Sequence, residues 1–233
     1  MEKKLYSIAG LTVEIKADGR TNAQAEAYRI REDREPDIVV ECDYHNFYEC
    51  FSYLEEDDAC YIYTAKEFYF KLLDFDGLML HSSAVVVDDR AYLFSAASGT
   101  GKSTHTSLWL EKFGDRAYIL NDDKPALRLI DGVWYACGTP WSGKYDISKP
   151  ACVPLAGIAF LNRGETNHIE PYKGAKVAFE LLNQMPRYSK QMPRILNLLD
   201  QLVRQVPVWK LYCNMDKEAA EVSYAAMSGN VKE

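Results

Sequence analysis

The sequence has 233 residues, of which 48% are hydrophobic and 26% are charged, and its formal net charge is -7. These proportions are close to the averages of soluble globular proteins and exclude a mainly disordered chain. The acidic balance also argues against nucleic acid as a partner, because phosphate backbones need clustered Lys and Arg. We therefore expect a folded protein that does not bind DNA or RNA.

The start of the sequence lacks the apolar core of a signal peptide, since Met1 is followed by Glu2, Lys3 and Lys4. No later run reaches the roughly 18 uninterrupted apolar residues of a membrane span. The sequence therefore predicts a cytoplasmic protein with no membrane partner. Its six cysteines are scattered, without a CxxC pair or zinc spacing, so we expect reduced thiols.

Residues 1–75 are predicted to form a small β-rich lobe. They contain three short β-like runs, at residues 11–15, 38–42 and 59–64, with turn signals between them. Tyr and Phe are dense between residues 44 and 75, which is typical of aromatic packing on a small sheet. This segment shows no catalytic pattern.

Residues 76–233 are predicted to form the main domain, a mixed sheet rich in antiparallel pairs. The apolar runs 84–87 and 91–94 are separated by three residues, a link that can join only antiparallel strands. The second run leads through a glycine loop into a helix that ends at Phe113. The later elements are a strand at 117–120, a hairpin at 126–137, a strand at 157–161, helices at 177–182 and 195–203, a strand at 206–213, and a helix at 217–227 capped by Asp216.

The glycine loop has the residue pattern of a phosphate-binding loop. Its glycines let backbone N–H groups turn toward an anion, and the following helix points its positive end at the same place. Lys102 is then expected to reach the β and γ phosphates, and the Ser103 hydroxyl to take one Mg²⁺ position. The strict motif has Gly where this chain has Ala96. The candidate nucleotide-binding residues are Ser98, Gly99, Thr100, Gly101, Lys102, Ser103 and Thr104.

An acidic pair, Asp122 and Asp123, follows a predicted strand 20 residues after Lys102. One carboxylate could hold Mg²⁺ and the other could accept a proton from an attacking hydroxyl, and the sequence does not decide which. An ordinary Asp-Asp turn is the alternative interpretation. His81 heads the strand that pairs with the loop strand, where a lone His is usually a hydrogen-bonded structural residue. His45, His105 and His168 are interpreted as structural, and Lys144 and Arg163 mainly as surface charges.

The order Leu-His-Ser-Ser-Ala, hairpin, Ser-Gly-Thr-Gly-Lys-Ser-Thr, helix, Asn-Asp-Asp over residues 80–123 resembles a known nucleotide core. It is similar to the core shared by HPr serine kinase/phosphorylases and ATP-dependent phosphoenolpyruvate carboxykinases. The resemblance implies an α/β fold with a P-loop set in a mixed, largely antiparallel sheet. It also implies that His81 and Asp123 are metal ligands.

These patterns together predict an ATP- and Mg²⁺-dependent kinase, with Mn²⁺ as an alternative ion. Its acceptor is expected to be a hydroxyl, most simply a Ser of a peptide or small protein. Lys102, Asp122 and Asp123 are the predicted catalytic residues, and Ser103, Asp123 and His81 the predicted metal ligands. Two alternatives are a non-catalytic nucleotide-binding regulatory protein and a carboxykinase-like enzyme, although carboxykinases of this fold are much longer. The sequence does not decide whether the protein forms a homo-oligomer.

Overall fold

Within the residues that the structure describes, the N-terminal part of the chain forms a four-stranded sheet, with strand order β3-β1-β2-β4, and two α-helices. The structure is a computed structural model that describes residues 4–43 and 53–229. The first elements are β1 (Leu5–Ile8), β2 (Leu11–Lys16), α1 (Gly19–Ala25), β3 (Arg29–Ile30), β4 (Ile38–Glu41) and α2 (Glu56–Leu72). The strands predicted at 11–15 and 38–42 are therefore confirmed.

The strand predicted at residues 59–64 is wrong, because these residues lie inside the 17-residue helix α2. Acidic side chains occupy the first turn, where they interact favourably with the helix dipole. Residues spaced three and four apart, such as Tyr61, Ala65, Phe68 and Leu72, are buried on one face. A six-residue window rich in Tyr and Ile is too short to reveal that period. Residues 44–52 of the aromatic-rich segment, with His45, lie outside the described residues.

A nine-stranded sheet forms the rest of the fold, and it is mixed, with most neighbours antiparallel. Its main path is β5-β9-β10-β11-β7-β6-β8, with β13 beside β11 and β12 beside β13. Within the described residues of this sheet, both parallel pairs involve β11, which lies between β7 and β13. The strands are β5 (Gly77–Met79), β6 (Ser82–Val87), β7 (Arg90–Ser95), β8 (Ala117–Asn121), β9 (Ala126–Ile130), β10 (Val133–Cys137), β11 (Cys152–Arg163), β12 (His168–Pro171) and β13 (Val208–Cys213).

Both predicted hairpins are confirmed. Strands β6 and β7 pair antiparallel, with Ser82 opposite Ser95, and β9 pairs antiparallel with β10. The second turn has φ values of 49° at Asp131 and 80° at Gly132, as tight hairpins require. The helix after the glycine loop is α3 (Lys102–Phe113), and its C-cap is Gly114, as predicted. The chain therefore enters the loop from a strand and leaves it in a helix.

The three predicted C-terminal helices are present as α4 (Ala175–Asn183), α5 (Met192–Gln205) and α6 (Glu218–Ser228). The predicted cap of α6 is wrong. The N-cap residue is Lys217, and no side-chain cap hydrogen bond is formed. The carboxylate of Asp216 instead accepts a hydrogen bond from Asn214 Nδ2 at 2.8 Å. A nearby amide donor has therefore taken the place of the helix N–H groups.

The prediction that all cysteines are reduced is wrong for Cys137 and Cys152, which form a disulfide. They lie directly opposite each other where β10 pairs with β11, with Cα atoms 4.1 Å apart. Antiparallel neighbours at a non-hydrogen-bonded position are this close, so cross-strand pairing brings the sulfurs together. Cys42, Cys60 and Cys213 are free thiols. Cys50 lies outside the described residues.

Helices cover both faces of the nine-stranded sheet. One core lies between the sheet and helices α4 and α5, and another between the sheet and helices α3 and α6. A third core joins the N-terminal sheet and α2 to Ala126, Cys137 and Trp141. The proposed division at residue 75 stays a prediction, since this third core draws on both sides of it. Within the described residues, no helix is long and apolar enough to cross a membrane.

Candidate functional site

The glycine loop, residues 96–101, connects β7 to the N-terminus of α3. Gly99 and Gly101 have φ values of 76° and 121°, and a Cβ at either position would meet no atom within 4 Å. Their backbone conformation, and not crowding, therefore favours glycine. The amide of His105 bonds the carbonyl of Gly101 at 2.9 Å, so regular helix begins directly after the loop. The first amides of a helix have no internal partners and can bind an anion.

The side chain of Lys102 folds back over the glycine loop. Its Nζ donates a hydrogen bond to the carbonyl of Ala96 at 3.0 Å, and the residue is only 9% exposed. Burial lowers the pKa of Lys102, while the charges of Asp123 and Asp122 act to raise it. A poorly solvated ammonium at this position would be stabilised by an anion bound in the loop.

Asp122 is held by hydrogen bonds from two other elements. Its Oδ1 accepts a bond of 2.7 Å from the Ser83 hydroxyl on β6, and that hydroxyl lies 3.0 Å from Thr106 Oγ1 on α3. The backbone amide of Asp122 donates to the carbonyl of Ile147 at 3.1 Å. These contacts fix the carboxylate beside the first turn of α3. Ser83 was not among the predicted site residues, although it follows His81 closely in the quoted motif.

Asn121 shapes the turn that carries the acidic pair. Its Oδ1 accepts hydrogen bonds from the amides of Asp123 at 3.0 Å and Lys124 at 2.7 Å. Its Nδ2 donates to the carbonyl of Thr139 at 3.0 Å, and the side chain is fully buried. Asn commonly supports a turn through such bonds to following amides. The conformation of the acidic pair therefore depends on the residue before it.

His81 and Asp123 contact each other. His81 Nε2 lies 3.2 Å from Asp123 Oδ1, and His81 Nδ1 lies 3.2 Å from Gln184 Oε1. Burial acts to raise the pKa of Asp123, but the hydrogen bond with His81 and the charge of Lys124 outweigh it and lower the pKa to about 2. Asp123 is therefore a stable anion. Gln184, which is not among the predicted site residues, orients the imidazole from the opposite side.

A third wall comes from residues 142–146, which we call the cleft loop. Gly143 packs on Asp123 so closely that a Cβ would lie 2.8 Å from the Cβ of Asp123, and its φ is 79°. Lys144 and Tyr145 follow, with Lys144 Nζ 4.7 Å from the centre of the Tyr145 ring. Lys144 is exposed, in keeping with its interpretation as a surface charge, and it also lines the cleft. Lys144 comes near the acidic pair only through tertiary packing, so its spacing in the sequence did not predict this position.

These segments enclose a cleft of about 480 Å³. Every predicted site residue lines it except Thr100, which lines a second cavity of about 650 Å³ on the other side of the glycine loop. The second cavity is partly apolar, with Leu108 and Leu161 in its wall. The cleft is lined by His81, Ser98, Gly99, Gly101, Lys102, Ser103, Thr104, Asp122, Asp123, Gly143, Lys144 and Tyr145.

The geometry of His81 and Asp123 is compatible with a shared metal ion. Adjacent ligands about 2.1 Å from an octahedral ion lie about 3 Å apart, and the observed separation of Nε2 and Oδ1 is 3.2 Å. In the part of the chain that is described, no group of three or more His, Cys, Asp or Glu is placed to hold a metal. A hydroxyl such as that of Ser103, together with water or phosphate oxygens, would have to complete the coordination.

The other described histidines have structural surroundings. His105 Nε2 lies 3.2 Å from Ser223 Oγ inside the core beside α6, and burial lowers the pKa of His105 to about 4. His168 stacks on Tyr212 with ring centres 4.7 Å apart. Arg163, at the end of β11, donates to the carbonyl of Gly99 at 2.9 Å and so touches the glycine loop.

No protein-family model matches this sequence, and no curated protein matches it. Among solved structures, the chain is similar to the HPr(Ser) kinase/phosphatase from Coxiella burnetii. The TM-score is 0.40 and the sequence identity 9%, with 65% of this chain and 97% of that chain covered. A likeness at this level is a distant similarity of fold, and it carries no argument about activity.

Proposed function

We propose that this chain is an ATP- and Mg²⁺-dependent phosphotransferase that acts on a hydroxyl group, with a serine-containing peptide or small protein as the acceptor. The observation that carries the proposal is the convergence in one cleft of Lys102, Ser103, the acidic pair and His81. These residues supply the charges that phosphoryl transfer needs, which are a cation for the phosphates, oxygen ligands for a metal and a carboxylate base.

The glycine loop and Lys102 are proposed to bind the triphosphate. The loop amides and the N-terminus of α3 offer N–H donors, and Lys102 adds a buried positive charge. The partly apolar second cavity, which begins on the other side of the loop, suits a nucleoside. The phosphates would then lie between the two cavities, with the terminal phosphate in the acidic cleft.

Asp122 is proposed as the general base. Asp123, whose pKa is lowered to about 2, holds a proton weakly and is better suited to bind a cation. Asp122 is oriented by Ser83 and reaches the same cleft. The acceptor hydroxyl oxygen would form a bond to the γ-phosphorus as the bond to the bridging oxygen of ADP breaks, and the hydroxyl proton would pass to Asp122.

His81, Asp123 and Ser103 are proposed to hold the metal ion. Mg²⁺ prefers oxygen ligands, and a set that includes an imidazole also accommodates Mn²⁺. Gln184 fixes the ring of His81 from the other nitrogen, as is usual for a ligating histidine. When bound, the ion would neutralise charge on the phosphate oxygens.

The test is transfer of labelled γ-phosphate from Mg-ATP to a panel of serine peptides and free serine. We expect acceptor-dependent transfer by the native chain and a loss of about 10²- to 10⁴-fold in Asp122→Asn, the scale of a positioned base. Asp123→Asn should raise the Mg²⁺ concentration needed for half-maximal transfer, because it removes a charged metal ligand. Lys112→Ala is the matched control, because Lys112 lies on the same helix and pairs with Glu221 at the surface.

Each outcome has a distinct meaning. Transfer by the native chain and by Lys112→Ala, with loss in Asp122→Asn, would support the kinase and its base. Transfer that survives in Asp122→Asn would contradict the assignment of the base. Mg-ATP binding without transfer to any acceptor would favour the alternative, a nucleotide-binding regulatory protein.

A further inference from the structure

Arg20, on α1 of the N-terminal part, reaches the cleft loop. Its Nη2 donates hydrogen bonds to the carbonyl of Gly143 at 2.6 Å and to Asp146 Oδ1 at 2.9 Å. Its Nη1 donates to Asp58 Oδ1 on α2, also at 2.9 Å. One guanidinium group therefore joins α1, α2 and the cleft loop.

The surroundings of Arg20 fix its orientation. The guanidinium carbon lies 4.1 Å from the centre of the Tyr61 ring, and the Tyr61 hydroxyl accepts a hydrogen bond of 2.8 Å from the amide of Ser142. The backbone amide of Arg20 donates to Asp57 Oδ1 at 2.9 Å, and its side chain is only 25% exposed. Exposed ion pairs usually contribute little to stability. The planar guanidinium of Arg20, however, stacks on the Tyr61 ring and donates hydrogen bonds from both Nη atoms, so its geometry is well defined.

The other side of the cleft loop faces the acidic pair. Gly143 packs directly on Asp123, and Lys144 and Tyr145 line the cleft. The Tyr145 side chain, with the residue 59% exposed, is available to an incoming molecule. A shift of the cleft loop would therefore change the wall next to Asp123 and leave the glycine loop in place.

We propose that Arg20 is a positioning residue that holds the cleft loop against Asp123 and thereby shapes the acceptor side of the cleft. This inference rests on the proposed phosphotransferase function, and it gives the N-terminal part of the chain a role in acceptor binding. Arg20 acts through Gly143 and Asp146 and does not itself line the cleft.

The first test compares acceptor and nucleotide binding in Arg20→Ala, using the most active serine peptide of the panel. We expect the KM for the peptide to rise at least about tenfold, because displacement by about 1 Å can cost 10²-fold, while the Kd for Mg-ATP changes less than about twofold. Arg20→Lys should restore part of the loss, since an ammonium can reach one acceptor but cannot span both. Lys16→Ala is the control, because it removes an exposed ion pair with Glu41 in the same sheet.

A second variant keeps the test informative if Arg20→Ala does not fold. Asp146→Asn removes only the charge on the cleft-loop side, and Asn tolerates the left-handed conformation that Asp146 adopts, with φ of 54°. Asp146→Asn should also raise the KM for the peptide, as Arg20→Ala does. The KM of the double variant for the peptide should be no higher than that of Arg20→Ala, because the contact that Asp146→Asn weakens is already absent in Arg20→Ala.

The rate of trypsin cleavage after Lys144 tests whether Arg20 holds the cleft loop, and this test needs no phosphotransferase activity. The next basic residue, Lys149, precedes Pro150 and is protected, and the Cys137–Cys152 disulfide requires that fragments be separated after reduction. Cleavage should be several-fold faster in Arg20→Ala and in Asp146→Asn than in the native chain, because a released loop opens more often.

The outcomes separate the inference from the function on which it rests. If the native chain is active but KM and cleavage rates are unchanged in both variants, the positioning role is overturned. If the native chain does not bind Mg-ATP, the proposed function fails, and the cleavage rates alone decide whether Arg20 holds the loop. A rise in the Kd for Mg-ATP as large as the rise in KM would also overturn a role confined to the acceptor side.

Discussion

At the scale of single residues, Asp123 carries the clearest electrostatic signal in the site. Its carboxylate contacts His81 on one oxygen and Lys124 on the other, and the side chain is 22% exposed. Burial alone would raise its pKa, yet these two partners lower the pKa to about 2. The folded protein therefore binds this proton less readily than the unfolded chain does.

This difference predicts a pH-dependent contribution to stability. The stabilisation is complete above the ordinary carboxyl pKa and is lost as the pH falls through about 2. We expect Asp123→Asn to reduce the free energy of unfolding by about 2 kcal/mol at neutral pH, and the gap from the native chain to narrow below about pH 4. Urea unfolding followed by circular dichroism at several pH values measures the gap.

Asp89→Asn serves as the control for that measurement. Asp89 is an exposed residue of the β6–β7 turn with φ of 57°, a conformation that Asn also adopts. The free energy of unfolding of Asp89→Asn should differ little from that of the native chain at every pH. A gap for Asp123→Asn that stays constant down to the lowest pH would contradict the account of Asp123.

Residues of local motifs could be predicted from sequence, and residues that join distant segments could not. The glycine loop and the acidic pair are each contiguous, and their special residues are recognisable because of required backbone conformations and charges. Gln184 and Arg20 reach the site from 103 and 123 positions away in the chain, to His81 and Gly143 respectively. No periodicity or spacing encodes such contacts, since they arise only when the elements pack.

At the scale of elements, the disulfide between β10 and β11 encloses the cleft loop. Cys137 and Cys152 are 15 positions apart, and every residue of the cleft loop lies between them. Closing a loop of this length removes conformational freedom from the unfolded chain, which stabilises the fold by about 3 kcal/mol. The cross-link thus restrains both ends of the segment that carries the cleft loop.

Reduction of the native chain should therefore lower its free energy of unfolding by about 3 kcal/mol, measured by urea unfolding with and without reductant. Cys152→Ser, which lacks the cross-link, should be insensitive to reductant and as stable as the reduced native chain. Peptide mapping that finds both thiols free in the purified protein would contradict the pairing.

Helix α2 illustrates why one element was mispredicted. Its residues 59–64 include Tyr and Ile, which favour strands, but the tertiary structure buries one helical face of a longer segment. Tyr61 and Tyr69 on that face bond to the chain near the site, Tyr61 to the amide of Ser142 and Tyr69 to the carbonyl of Lys124. The helix that contains the misassigned segment therefore contacts the cleft, as Arg20 of α1 also does.

At the scale of the whole molecule, the N-terminal part and the main sheet share a core. Trp141 is fully buried and stacks on Phe68 of α2, with ring centres 4.9 Å apart. The predicted mixed sheet and its order of hairpin, loop and helix are confirmed, while the packing of α2 beside the acidic turn could not be predicted from local pattern. The cleft is accordingly a product of both parts of the chain.

The central claim, that the glycine loop binds a nucleoside triphosphate, is tested most directly by calorimetric titration of Mg-ATP. We predict micromolar binding by the native chain, loss of that binding in Lys102→Ala because the buried cation is removed, and unchanged binding in Lys112→Ala on the same helix. Absence of binding by the native chain, or equal binding by Lys102→Ala, would contradict the claim.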